Sequence, residues 1–542
     1  MPRVSRNRSQ QTRLEELLRC DHSLNGGILV GLDGFVIEVQ ARAIEVLPGP
    51  ISWAASTRIS GMTRGAASEV MNRITGAFAK LRIPEPEVAI LVNLAPADLF
   101  KGGAWLDLPI ALILLQAAGH LPDLPENIEG DHIIVGELGI HGEVRRVPGA
   151  LSLAYVAKAG QKLVVPSGNE KECALIMAKP GHEGCAVYSV GLLEEAIEYF
   201  AGKRVLENAL KQRISFESHI PPAPDFGQVR GQQAAKDAAM LAAAGGHNLL
   251  MIGPPGEGKS MLASAIPGIL PKLSSSEKVE LTRIYSACGE LREDGQAVTR
   301  RPMRTVHHTA SKVAVVGGGS PQPMPGEITL AHYGVLFMDE LAEFPRSTLE
   351  AMRQPIEAGE IHISRANGKA TFPSLFTLVA AMNPCPCGYY GSDQCRCTNV
   401  EVGKYLSKIS GPILDRIDLQ VELKPLTTRE RMAPVKEGES AKLRQAVQAA
   451  RERQHERFKG TNIPCNAAIP GGEVYEYCRM TENAADHFAE IVDGAKISTR
   501  STTRLAKVSR TVADLSKSPD VEPVHIDHAV AFVIGGLLRE YF

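Results

Sequence analysis

The sequence predicts a multidomain α/β protein, with an α+β domain first, an α/β domain in the middle and a helical domain at the C-terminal end. Three observations carry this reading. The chain has 542 residues, more than one core accommodates at about 150 residues per domain. From residue 24 to 205, short apolar runs alternate with helical patterns. From Asn248 an apolar strand, a glycine loop and a helix follow one another directly.

In chain order, residues 1–23 carry Arg3, Arg6, Arg8, Arg13 and Arg19 with no apolar stretch and read as a basic arm, not a secretory leader. In the domain 24–205, Val88 to Leu94 reads as a strand. A helix follows from Leu108, with Asp107 as its cap and Pro109 in the first turn, where a missing N–H costs little. Strand patterns return at Ile133 to Ile140 and Gly142 to Val147. The apolar stretch Leu106 to Ala118 is interrupted by Asp107, Pro109 and Gln116 and falls short of the roughly 20 residues of a membrane span, which places the chain in the cytoplasm. The proline-rich Ile220 to Asp225 marks a linker over 206–226.

The middle domain, 227–427, opens on an Ala-rich helix from Gln228, then the strand Asn248 to Ile252 and a helix from about Lys259. A break over Thr427 to Ser440 leads to the last domain, 428–542, helical throughout. Its helix Ala441 to Phe458 carries Arg444, Arg451, Arg453 and Arg457, expected to face solvent. Apolar residues at 44% and charged residues at 22% are ordinary for globular protein. A formal charge of −2 removes any bulk attraction for nucleic acid, so such a contact needs a local basic surface.

Gly253, Pro254, Pro255, Gly256, Glu257, Gly258, Lys259 and Ser260 spell G-x-x-x-x-G-K-S between a strand and a helix. Glycines let backbone N–H groups turn around phosphate oxygens, Lys259 offers a charge to the β and γ phosphates of ATP, and the Ser260 hydroxyl can ligate Mg²⁺. The strand Gly334 to Met338 ends in Asp339 and Glu340 at the edge where an open α/β sheet presents its ligands. Asp339 would hold the Mg²⁺, and Glu340 would polarise the attacking water as general base. The strand Leu375 to Ala381 delivers Asn383 to the same edge, where an amide can orient water. Arg416, set among apolar residues, suits a cation donated to a neighbouring subunit; taken alone it could equally be a salt-bridged surface residue.

Together these residues resemble the Mg-chelatase-like AAA+ proteins of the ComM/YifB family over nearly the whole chain. Further signatures are His307 to Ser311, Val316 to Ser320, Pro325 to His332, Asn383 to Gly391 and Lys408 to Pro412. The resemblance implies an AAA+ P-loop core in a homo-oligomeric ring, a hexamer, in which Asn383 is sensor 1, Arg416 the arginine finger and Arg500 the sensor 2 arginine of a helical lid. Outside the resemblance, Arg504, Lys507 and Arg510 read as a solvated basic face. Ile361 to Phe372 alternates around the two-residue turn Asn367-Gly368 as a hairpin. In similar ring motors such a hairpin faces the pore, making Arg365 and Lys369 candidates for a DNA backbone.

The first domain resembles the Lon-protease (ribosomal S5-like) fold through Val92 to Asp98, Asp107 to Leu112, Gly136 to Leu138 and Val165 to Glu170. No serine lies near Asp107, and Pro148 to Ser152 lacks the lysine that active relatives carry, so the domain reads as a proteolytically inactive scaffold. Cys385, Cys387, Cys395 and Cys397 supply enough thiolates in the loop 385–397 for a closed structural Zn²⁺ site, with four free thiols as the alternative. The adjacent His307 and His308 are assigned no ligand role. The leading functional reading is an ATP-driven helicase or translocase acting on single-stranded or branched DNA in recombination or natural transformation. A chelatase-type motor or a protein-remodelling ATPase without DNA stays open.

Overall fold

The computed structural model describes residues 8–122, 131–177, 179–211, 220–291, 297–319, 323–365 and 368–534. The first domain is built on β1 (Asp21–Val30), β2 (Asp33–Val46), β3 (Thr57–Ser60), β4 (Val88–Ala95), β5 (His132–Ile134), β8 (Lys162–Pro166) and β9 (Ala186–Val190), with β6 (Glu137–Leu138) and β7 (Val144–Arg145) forming a small separate hairpin. Its seven-stranded sheet runs β3–β4–β2–β1–β5–β8–β9, antiparallel across β1, β2 and β4 and parallel elsewhere. In β2, Ile37, Val39, Ala41 and Ala43 turn inward with period two, whereas β5 and β8 are buried on both faces, Ile134 and Val164 in one core and Ile133, Leu163 and Val165 in another. The helix Asp107–Ala117 is apolar on all sides and buried at every residue, as befits a central core helix.

One expectation for this domain is corrected. Asp107 does not cap its helix: it is the first helical residue, fully buried, and its carboxylate takes Arg73 at 2.7 and 3.0 Å and the Leu138 N–H at 3.1 Å. A carboxylate this deep needs a cation more than the helix needs a cap. The basic arm is in part a helix, Arg8–Leu17, docked through buried Leu14, with Arg13 donating to Gly119 O. Residues 1–7 lie outside the described residues.

The middle domain contains β10 (Leu249–Ile252), β11 (Met303–Val306), β12 (Gly317–Gly318), β13 (Met324–Pro325), β14 (Val335–Met338), β15 (Glu360–Arg365), β16 (Gly368–Pro373), β17 (Thr377–Met382) and β18 (Leu419–Glu422). Five of these form an all-parallel sheet in the order β11–β14–β17–β10–β18, so each strand's C-terminal end lies at one edge. β10, β14 and β17 are buried along their length, which is why they appear in the sequence as unbroken apolar runs. The expected Ala-rich helix runs Gln233–Gly245, after a 3₁₀ turn at Phe226–Gln228.

β15 and β16 form the expected hairpin, anchored by buried Ile361 and Phe372. Arg365 pairs with Gly368, so Gly368 belongs to the strand and not to the turn. Asn367 lies outside the described residues, as do Ser320, residues 212–219 of the expected linker and 535–542 of the last domain.

Glu439–Arg457 and Thr499–Leu515 pack on the helix Gln233–Gly245, Pro523–Val533 packs on β18 and on Thr499–Leu515, and Glu482–Ala495 packs on Pro523–Val533. Here the expected solvated arginines are corrected. Arg444 donates to Gly268 O at 2.7 Å, Arg451 to Ala243 O at 3.1 Å and Arg453 to Asp514 O at 2.9 Å, while Arg457 pairs with the buried Asp514. These carbonyls lie at helix ends, Ala243 in Gln233–Gly245, Gly268 in the 3₁₀ turn Ile266–Gly268 and Asp514 in Thr499–Leu515, where the last carbonyls lack intrahelical partners and the guanidinium groups supply donors. Arg510 is fully buried against Asp514, Arg504 donates to Ile417 O at 2.6 Å, and Lys507 to Ala467 O at 2.9 Å; these residues form no solvated face.

Candidate functional site

The C-terminal edge of the parallel sheet collects four consecutive strand ends. Gly253 follows β10, Asn383 comes one residue after β17, Asp339 and Glu340 follow β14, and His307 and His308 follow β11. Gly256 and Gly258 hold φ of 83° and 89°, the left-handed region that turns the loop's amides inward. A Cβ at Gly253 would come 2.8 Å from Leu423 O, so this position needs glycine for close approach to the end of β18.

Lys259 is buried, and its Nζ donates to the carbonyls of Gly253 and Pro254 at 2.5 and 2.9 Å and to Asn383 Oδ1 at 3.1 Å. Burial lowers its pKa, opposed by the charges of Asp339, Glu257 and Glu340. Ser260 Oγ donates to Asp339 Oδ2 at 3.1 Å, bringing together the two residues assigned to Mg²⁺ from the sequence. Hydroxyl and carboxylate oxygens suit that hard cation. The Glu257 side chain is committed elsewhere: it accepts from Leu426 N at 3.1 Å and pairs with Arg431 at 3.0 Å, tying the loop to the chain after β18.

Glu340 sits at φ 53°, an uncommon conformation for a residue with a side chain, and its carboxylate lies 2.9 Å from His308 Nδ1. No sequence signal paired these two residues, because β11 and β14 become neighbours only in the sheet. The histidine pair left without a role therefore stands beside the carboxylate singled out as a base.

Arg416 and Arg500 are not at this edge. Asn248, which precedes β10, donates through Nδ2 to Arg416 O at 2.7 Å, and Arg500 pairs with Asp415 at 3.0 Å. Both arginines line a cleft of about 1150 Å³ with Asn248, Asp415, Arg504 and Lys507 at the opposite edge of the sheet. Arg416 is salt-bridged to Glu357 with its side chain 8% exposed, whereas the Arg500 side chain is 60% exposed.

The four loop cysteines offer sulfurs that all lie within 4.8 Å of one another. Cys385 is 3.3 Å from Cys387 and 3.9 Å from Cys395, and Cys387 is 3.7 Å from Cys395. A tetrahedral ion with bonds of about 2.3 Å spaces its sulfurs about 3.8 Å apart, so the residues fit Zn²⁺. Backbone amides of Arg396 and Tyr389 pull the Cys387 thiol down to about 6, favouring the thiolate. Gly388 rests on the phosphate-binding loop: a Cβ there would meet Pro255 at 2.9 Å.

Lys369 is exposed on the hairpin; the side chain of Arg365 lies outside the described residues. In the first domain, buried Ser152 donates to Leu32 O at 2.7 Å, and buried Lys101 donates to the carbonyls of Pro96 and Leu99. Among the described residues no helix is long and apolar enough to cross a membrane.

A parallel sheet with a phosphate loop after one inner strand and a carboxylate pair after another, joined to a second α/β sheet and a helical domain, is consistent with an AAA+-like multidomain protein. The family of magnesium chelatase subunit ChlI matches residues 225–431, its C-terminal family residues 437–532, and a further ChlI family residues 52–169. The chain is 40% identical to the uncharacterized protein YifB of Escherichia coli over 93% of this chain and 95% of that one. It is 37% identical to competence protein ComM of Haemophilus influenzae over 87% and 91%. A partial likeness, 29% over 26% of each chain, links it to Lon protease 2 of Bacillus subtilis. The chain belongs to the Mg-chelatase-like ATPase family that includes YifB and ComM.

Proposed function

We propose that the chain hydrolyses ATP as one subunit of a homo-oligomeric ring, a hexamer, and uses the energy to move single-stranded or branched DNA. The observation that carries the ring is the separation of Lys259 from Arg416 and Arg500. They lie beyond opposite ends of β10, a strand whose four residues span about 13 Å, so the two arginines reach a nucleotide only by facing the site of the next copy. At each interface Lys259 leaves the loop carbonyls for the β and γ phosphates, Glu340 polarises the attacking water, Asn383 orients it, and Arg416 and Arg500 stabilise the developing charge. Ser260 and Asp339 would hold a Mg²⁺ ion that neutralises phosphate charge. Cys385, Cys387, Cys395 and Cys397 would hold a structural Zn²⁺. The first domain is a Lon-like scaffold without proteolysis, since no serine lies near Asp107 and Pro148 to Ser152 carries no lysine.

The competence protein among the relatives favours DNA as the substrate, contacted by Arg365 and Lys369; the chelatase description favours a motor for metal insertion. Steady-state ATPase rates with and without single-stranded and forked DNA, at low and moderate salt, decide between them. DNA stimulation that weakens with salt, is absent in Glu340→Gln and is lost on replacing Arg365 and Lys369 is the expected result. Glu340-dependent turnover indifferent to DNA would leave the motor core and overturn its DNA substrate.

A further inference from the structure

The ligand-bearing groups beside the ATPase edge include a set with no part in phosphate binding. His307, His308 and Glu340 each present a ligand atom within 4.8 Å of the others. The two imidazoles are tilted by 35° with centroids 4.1 Å apart, so both rings line the same small space. His308 Nδ1 stands 2.9 Å from Glu340 Oε2, yet that nitrogen is buried and its geometry makes no hydrogen bond. Two ligand atoms held at about 2.1 Å from one ion are about 3.0 Å apart at the right angle of a square-planar site and about 3.4 Å apart at the tetrahedral angle, so a shift of a few tenths of an ångström at most brings the pair to a shared cation. His307 Nδ1 lies 2.9 Å from Thr309 Oγ1. The Thr309 N–H donates to that nitrogen at 3.4 Å, so Thr309 holds the ring in place, an outer partner of the kind that orients ligating histidines.

We propose that His307, His308 and Glu340 form a second metal site, for a divalent transition cation of the Zn²⁺, Ni²⁺ and Co²⁺ class. Two imidazoles and one carboxylate select such ions over Mg²⁺, which prefers oxygen ligands and keeps its water. The ion takes the carboxylate oxygen that Glu340 turns toward the attacking water, so binding switches hydrolysis off. This inhibitory consequence rests on the proposed role of Glu340; the binding does not.

The test uses full-length protein with the cysteine loop loaded with Zn²⁺ and no nucleotide, titrated with Ni²⁺ by calorimetry and equilibrium dialysis. One Ni²⁺ per chain is expected through this site, with affinity at least about tenfold weaker in His307→Gln and in His308→Gln, since even outer partners of a metal contribute that much. Circular dichroism confirms that both variants are folded. Mg-ATP turnover at limiting ATP is then compared with and without Ni²⁺. Inhibition in the unaltered protein that disappears in His307→Gln supports the site and its effect. Equal Ni²⁺ affinity in all three proteins, or no Ni²⁺ bound by the unaltered one, overturns the proposal. Ni²⁺ bound through the histidines without slowing turnover keeps the site and sinks the role of Glu340 as the base.

Discussion

Asp107 shows how far one buried charge departs from its local reading. By sequence it stands where a helix cap belongs, but packing buries it, and burial pushes its pKa up to about 6 even though Arg73 and the Leu138 amide pull it down. A carboxylate whose pKa is higher in the folded than in the unfolded chain takes up a proton on folding, so its contribution to stability falls as pH rises from about 4 through 6. Arg73→Ala removes the main opposing charge and leaves a buried carboxylate uncompensated, a change costing about 3 to 5 kcal/mol. Urea unfolding should show the larger loss at pH 8 and a smaller one at pH 5, where the carboxyl is protonated. A loss of equal size at both values would mean that the carboxylate stays charged in the variant and finds another cation. The composition of the stretch around Asp107 could not reveal this pairing, because Arg73 lies on another helix 34 residues earlier.

The elements most legible in the sequence are those whose signal is local. The loop Gly253 to Ser260 with its strand and helix, the apolar runs of β14 and β17 and the hairpin β15–β16 were all readable because period and turn chemistry are set within a few residues. The arginines of the helix Glu439–Arg457 were not, since the carbonyls they meet belong to a helix 208 residues away in the case of Arg451. The cysteine loop lies between these cases: its ligands show in the sequence, but its seat on Pro255 beside Asn383 does not. That seat gives a consequence for catalysis. On the proposal that the four cysteines hold Zn²⁺, stripping the loop with a strong chelator would remove the ion that holds so short a segment in shape, and Asn383 and the phosphate loop would lose their support. Mg-ATP turnover should fall at least about tenfold and recover on adding Zn²⁺, by analogy with metal sites whose supporting shell is removed. Unchanged turnover in protein shown free of zinc would leave the loop with no bearing on catalysis.

Across the whole molecule, the first domain meets the P-loop domain both where the helix Ser275–Ala287 packs on Ala150–Val156 and Glu170–Met177, with Gly149 N donating to Ser286 O at 2.8 Å, and at the β1–β2 turn. The β1–β2 turn buries Leu32 beside Ala370 and Phe372 of the hairpin, and Arg283 of the core donates to Leu32 O at 2.9 and 3.0 Å and lies 5.3 Å from the Tyr155 ring. Buried Ser152 completes that contact by donating to the same carbonyl at 2.7 Å. The domain thus bears on the base of the hairpin, opposite in role to the exposed cleft of Arg416 and Arg500, which faces away from the chain's own phosphate loop. The proposed ring, in which each copy's arginines face the next copy's phosphate loop, has a direct test by mixing. Lys259→Ala destroys the phosphate site but keeps the arginines; Arg416→Ala keeps the phosphate site but loses a cation. Each alone should be nearly inactive. Assembled at equal amounts in one ring, they place an intact phosphate site against an intact Arg416 at about a quarter of the interfaces, so activity should return toward that fraction of the unaltered ring. If Arg416 serves the nucleotide of its own subunit, no interface in the mixture is complete, and the mixed ring stays as inactive as its two components.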